Sequence, residues 1–184
     1  NADAAAQVIT RIRALFSKTE GEPHAIDLNA VIREVCDLLG DRLASSGVKL
    51  ALHLDLRLPA TVADHVQMEQ VVLNIVRNGI EAMEDVEINV RSLRIVSRRQ
   101  DDGTVEVEVR DSGRGLSDPE RIFEAFYTTK PDGMGMGLAI CHSIVEAHRG
   151  RIWAENAETG GASITFSLPI ADSARTPTSA TVSA

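Results

Sequence analysis

Three alternating glycines, Gly133, Gly135 and Gly137, stand directly before a stretch of helical character that opens at Leu138. Glycine lets backbone N–H groups turn towards an anion with no Cβ in the way, and the following helix brings its positive dipole end to the same place. The spacing suits a phosphate-binding loop, although a plain flexible connection uses glycine in the same way. A second cluster, Asp111-Ser112-Gly113-Arg114-Gly115, sets a carboxylate and two glycines where the alternating strand 104–110 turns into a loop. Upstream, Asn74, Asn78 and Glu81 recur at helical spacing and share one face, while Val71, Val72, Ile75, Val76, Ile80 and Met83 supply apolar contacts. Two amides and a carboxylate on a largely buried helix cost free energy unless something polar meets them, and a ligand is the economical partner.

Positioning these groups needs a scaffold, and its elements are legible. Asp27 is a good N-cap, with Ile26 and Val31 at staple spacing; Leu28, Val31, Ile32, Val35, Leu38, Leu39 and Leu43 then mark the buried side of a helix reaching Gly47. An alternating strand at 48–56 follows, and after Pro59 the pair Asp64 and Gln67 forms a capping-box-like start for the asparagine helix. Residues 93–99 and 104–110 read as strands joined by the turn Gln100-Asp101-Asp102-Gly103. A helix at 138–148 ends at Gly150, and strands at 151–156 and 162–169 flank the turn Gly160-Gly161. This mixture predicts an α/β fold, a two-layer α/β sandwich with one helical layer on a mixed sheet. Residues 1–20 carry a helical apolar stripe, Val8, Ile9, Ile12, Leu15 and Phe16, that requires a packing partner. Residues 21–26 are expected to be a linker, 27–170 the main domain, and 171–184 a disordered tail with little to bury.

With 184 residues, 43% of them hydrophobic, the chain can bury one sizeable core and an appendage. A formal charge of −8 argues against a nucleic-acid partner held by phosphate neutralisation. The basic run 91–99 alternates with apolar residues and reads as a solvated strand face. Cys36 and Cys141 lack metal-ligand spacing and are too few for a disulfide framework, which predicts reduced core thiols in a cytoplasmic protein. No apolar stretch approaches membrane-spanning length, so no membrane contact by this chain is expected.

The order of Asn74-x-x-x-Asn78, Asp111-x-Gly113-x-Gly115, Phe123-x-x-Phe126 and Gly133-x-Gly135-x-Gly137 resembles the N, G1, F and G2 boxes of the ATP-binding catalytic domain of sensor histidine kinases in two-component signalling. The resemblance covers about residues 48–169. The wording from Phe123 to Lys130, continuing through Met136-Gly137-Leu138-Ala139-Ile140, is similar to the soluble, often PAS-linked members. It implies the Bergerat ATP-binding fold of the HATPase (GHKL) superfamily, with ATP and Mg²⁺ as cofactors. Carried over residue by residue, it makes Asn78 the metal ligand and lets Asn74 hold a phosphate or a metal-bound water. Asp111 would accept a hydrogen bond from the adenine amino group, with Gly113 and Gly115 letting the backbone pass close to the base. Gly133, Gly135 and Gly137 would form a hinged lid ahead of Leu138, and Thr129 and Lys130 would face the triphosphate, Lys130 at its terminal phosphate. Asn74, Asn78 and Lys130 form the implied catalytic set. Many members carry a lysine and an aromatic residue where this chain has Glu81 and Ala82, which removes one phosphate contact and the adenine stack. Glu81 then binds a metal-bound water or pairs with a basic side chain.

Among His24, His53, His65, His142 and His148, none has the acidic neighbour and following proline or leucine of the family's phosphoacceptor. The resemblance therefore implies transfer of the γ-phosphate to a histidine outside this chain, for relay to the receiver domain of a response regulator. It also makes residues 1–20 the second helix of a dimerisation hairpin, and the full protein a homodimer. An anti-sigma-factor-like serine kinase and another GHKL ATPase are the alternatives. In chaperone and mismatch-repair members the position of Asn74 is a glutamate that activates water, and an amide cannot take that proton.

Overall fold

Strict alternation decides the sheet. In β4 (Ser92–Arg99), β5 (Thr104–Asp111) and β7 (Ala162–Pro169), Leu93 and Ile95, Val105, Val107 and Val109, and Ile164, Phe166 and Leu168 all turn to one side and are buried. The intervening Arg94, Arg98, Glu106, Glu108 and Arg110 take the other face, where Arg98 pairs with Glu106 and Glu108. With β2 (Lys49–Leu54) and β6 (Arg151–Asn156) these strands form a five-stranded sheet in the order β2-β4-β5-β7-β6. Only β2 and β4 run parallel; the remaining pairs are antiparallel, in registers such as Leu93 opposite Asp111 and Val107 opposite Phe166. The computed structural model describes residues 23–130 and 133–171. The stripe of residues 1–20 and the tail 172–184 lie outside the described residues.

One helical layer covers the apolar face. α1 (Leu28–Leu38) is capped by Asp27, whose carboxylate accepts the Asn29 N–H at 2.8 Å. α3 (His65–Ala82) is capped by Asp64, which accepts the Gln67 N–H at 3.0 Å, and it packs between α1 and α4 (Gly137–Ala147). Met68, Val71, Val72, Ile75, Val76 and Ile80 of α3 are buried, each contributing roughly 1.5–3 kcal/mol. The result is the expected two-layer sandwich on a mixed sheet. Cys36 and Cys141 are free, buried thiols. Burial pushes Cys36 up to about 11 and Cys141 up to about 12, so both stay protonated and unreactive near neutrality.

Three expectations need correction. The helix expected to run to Gly47 is two helices, because α1 stops at Leu38 and α2 (Gly40–Ser45) starts after Leu39, which leaves the helical conformation at φ −92°, ψ 4°. Gly40 is a poor helix former, which suits a break there. Leu38, expected on the buried side, is 65% exposed, while Leu43 is buried as expected. In the stretch expected to be a linker, His24–Ile26 forms β1, which pairs antiparallel with β3 (Thr61–Ala63) and buries Ile26. Finally, Arg91 is no solvated side chain. Its guanidinium donates to the carbonyls of Val86 (2.7 Å), Ser46 (2.8 Å) and Glu84 (2.8 Å), tying the end of α3 to the turn before β2. Among the described residues no helix is long and apolar enough to cross a membrane.

Candidate nucleotide-binding site

α3 presents its polar side along one edge of the helical layer. Asn74, Asn78 and Glu81 are half-buried there, one turn apart, while the opposite side of the same helix is core. Next to Asn78, Gly79 leaves room for the end of β5. A Cβ at Gly79 would stand 2.8 Å from Leu93 Cδ1 and 3.6 Å from Asp111 Cβ.

Asp111 is 8% exposed at the strand end. Its Oδ1 accepts the N–H of Gly113 (2.8 Å) and of Ala162 (3.4 Å), while Oδ2 faces Gly79. Burial raises the carboxyl pKa above its ordinary value, and the backbone donors oppose that rise. The turn beyond it is closely packed: a Cβ on Gly113 would lie 2.6 Å from the Ala82 carbonyl oxygen. Gly115, at φ +77°, packs on Asn156, whose amide bridges the Leu116 N–H (2.6 Å) and carbonyl (2.8 Å). Asn156 thus holds the loop in shape from the neighbouring β6.

At the other end of the site, Gly135 adopts φ +63°, and a Cβ there would lie 2.5 Å from the Phe126 carbonyl carbon. Its carbonyl accepts the Phe126 N–H at 2.9 Å, so the glycine loop and the Phe-x-x-Phe segment fix one another. Phe123 packs against the core and the His142 ring, whereas Phe126, at φ +69°, is 74% exposed. Gly133 lies against Thr128, whose hydroxyl accepts the Lys130 N–H at 3.1 Å. Gly137 opens α4 with its α-carbon side towards Asn74, since a Cβ there would stand 3.8 Å from Asn74 Oδ1. Leu138 anchors the helix by packing on the core, and Thr129 is exposed.

Lys130 reaches across to α3. Its ammonium pairs closely with Glu81 Oε2 and sits 3.5 Å from Asn78 Oδ1. Of the two roles open to Glu81, the structure displays the pairing with basic groups: Arg42 (3.3 Å) and Arg77 (3.5 Å) meet its other oxygen. Among the described residues no group of three or more His, Cys, Asp or Glu could hold a metal ion. A divalent cation here would take Asn78 together with phosphate oxygens and water, which matches the ligand habits of Mg²⁺. The histidine of α4 and the one that caps its end, His142 and His148, both have partners within the fold. His148 accepts the Asp64 N–H (3.1 Å) and contacts the Ile144 carbonyl (2.8 Å), and His142 pairs with Glu146.

Residues 63–172, well over half of the chain, match the family described as histidine kinase-, DNA gyrase B- and HSP90-like ATPase. The chain belongs to this family. Within the family it is similar to sensor histidine kinases: it is 39% identical over 170 residues to the sensor protein FixL of Bradyrhizobium diazoefficiens, across 91% of this chain and 33% of FixL. The chain thus spans about a third of that relative. The catalytic domain of histidine kinase ThkA superposes with a TM-score of 0.72 at 34% identity, covering 81% of this chain and 96% of that domain. ThkA is also solved with the response regulator protein TrrA (TM-score 0.74, 27% identity, 95% and 50% covered). Full-length ShkA with AMPPNP gives a TM-score of 0.76 at 25% identity, over 91% of this chain and 37% of that one. The family's ATP-binding domain and two-layer sandwich are therefore those of this chain. The site roles of Arg42 and Asn156 are not legible in the sequence, since each acts through a partner about 40 residues away along the chain; Arg77 meets Glu81 one turn away on the same helix.

Proposed function

We propose that this chain binds ATP with Mg²⁺ and forms the catalytic part of a two-component sensor histidine kinase. In the whole protein it passes the γ-phosphate to a histidine outside the chain, for relay to an aspartate of a response regulator. The observation that carries this reading is the layout along α3: Asp111 is buried near its C-terminal half, while Asn78, Lys130 and Gly137 gather along its polar side. A base beside Gly79 and a triphosphate along the side that carries Asn74 and Asn78 fit that layout.

Asp111 Oδ2 would take the adenine amino group, which selects adenine because guanine presents a carbonyl there. Asn74 and the backbone of Gly133, Gly135 and Gly137 would hold the phosphates, Lys130 the terminal one, and Thr129 and Leu138 would border them. Mg²⁺, a hard cation that retains waters, would neutralise triphosphate charge with Asn78 as its protein ligand. Asn74 cannot accept a proton from water, so the site favours transfer to another nucleophile over hydrolysis. Residues 1–20 would be the second helix of the dimerisation hairpin, and the catalytic domain would follow, with β1 joined to it through β3. The whole protein would be a homodimer with this domain in the cytoplasm.

Incubation with radiolabelled ATP and a separate hairpin fragment from the same protein tests the reading. Slow labelling of the fragment is expected, acid-labile and base-stable as a phosphohistidine is, with no label on this chain. Acid-stable label on a partner serine, or stable self-labelling of this chain, would overturn it.

A further inference from the structure

We infer that Lys130 is an internal counter-cation, held by Glu81 on the oxygen that the metal ion needs, and that its transfer from Glu81 to the terminal phosphate makes the site prefer ATP over ADP. Glu81 is then a positioning residue, and this inference rests on the nucleotide reading above. Lys130 Nζ touches both Glu81 Oε2 and the amide oxygen of Asn78, the candidate metal ligand. An ammonium and a divalent cation repel one another on a shared oxygen, so seating the metal requires Lys130 to leave.

The surroundings make that departure cheap. Arg42 and Arg77 hold Glu81 through its other oxygen, so Glu81 stays paired when Lys130 goes. Three cations share one carboxylate, and the local excess of positive charge suits an incoming polyphosphate. The Lys130 and Glu81 side chains are 33% and 23% exposed, which keeps the pair modest and its exchange reversible. ATP offers a terminal phosphate to the displaced ammonium. ADP lacks this γ-phosphate, so with ADP the Lys130–Glu81 contact competes with the metal and is not replaced.

Calorimetry of ATP and ADP binding, with Mg²⁺ and with EDTA, separates this device from an ordinary ion pair. Lys130→Met should lower the ATP-to-ADP affinity ratio roughly threefold or more, and raise the Mg²⁺ contribution to ADP affinity by a similar factor. Glu81→Gln should move the ATP-to-ADP ratio the opposite way, upward by roughly threefold, because the ammonium remains and nothing competes for it. Lys130→Arg should restore the preference, and Glu81→Asp, too short to reach, should act like Glu81→Gln. A pair that only braces the fold would move both variants in the same direction, since each breaks the same contact. Parallel shifts, or an unchanged ratio, would overturn the inference while leaving the nucleotide reading intact. A wild-type chain that binds neither nucleotide would instead sink that reading, and this one with it.

Discussion

Gly161 rests so tightly on Asp111 that a Cβ at Gly161 would lie 2.0 Å from the Asp111 carbonyl oxygen. The second half of the Gly160-Gly161 turn therefore does more than reverse the chain between β6 and β7. It closes over the strand end that carries the candidate adenine acceptor, and the next residue, Ala162, donates its N–H to the same carboxylate at 3.4 Å.

Gly161→Ala should consequently damage both stability and binding. The residue sits at φ +83°, where a side chain is strained, and the clashing atom belongs to backbone in a buried strand that cannot yield cheaply. A loss of about 2–4 kcal/mol in denaturant unfolding is expected, together with weakened ATP binding as Asp111 shifts. A variant within about 0.5 kcal/mol of wild type would show that the turn can move away from Asp111 freely.

Asp111→Asn should separate stability from recognition. Burial raises the Asp111 pKa, so over the window from its ordinary value up to its folded value the folded chain binds more protons than the unfolded one. Stability from this group is thus present at low pH and is lost as pH rises through that window. Asparagine keeps the acceptor for Gly113 and Ala162 but carries no charge, so the variant should gain on wild type in Tm as pH climbs from the acid side to neutrality. ATP affinity should fall about tenfold in the same variant, because a donor replaces the acceptor facing the adenine amino group. Unchanged ATP affinity would remove Asp111 from base recognition, whatever the melting curves show.

Most of what supports the site is local and was legible for that reason. The alternation of β4, β5 and β7 and the Asp64–Gln67 cap of α3 are short-range patterns, and they emerge in the structure with boundaries shifted by a residue or so. β1 and β3 were not legible, since strands of three residues hold too little alternation to register and depend on pairing with distant partners. Arg91 hid in a basic run because its three acceptors come from elsewhere in the chain. That Glu81 meets a basic side chain was one of two expected roles, but its partner Lys130 hid likewise, as 49 residues separate them and only the fold brings them together.

Arg91→Ala should cost about 2–3 kcal/mol, since it strands the carbonyls of Ser46, Glu84 and Val86 that the guanidinium now satisfies. Arg91→Lys should recover less than half of that, because a single ammonium lacks the planar fork that reaches all three. Thermal or chemical denaturation reads both. Equal stability of the alanine and wild-type chains would return Arg91 to the solvated role its sequence context suggests.

Asn78→Ala brings the two kinds of effect into opposition and is the most direct test of the metal position. Asn78 lies on the half-buried face of α3, and its amide oxygen meets Lys130 at 3.5 Å. Alanine is the better helix former by up to about 0.7 kcal/mol, so stability should hold or rise slightly. ATP affinity should nevertheless fall about tenfold in Mg²⁺, where the amide oxygen is lost as a ligand, and by less than about threefold in EDTA, where it binds no metal. Structural damage cannot produce that pattern, because a deformed site would weaken binding with and without the metal. An equal loss under both conditions would make Asn78 a nucleotide contact, and would move the search for the metal ligand to Asn74 one turn away.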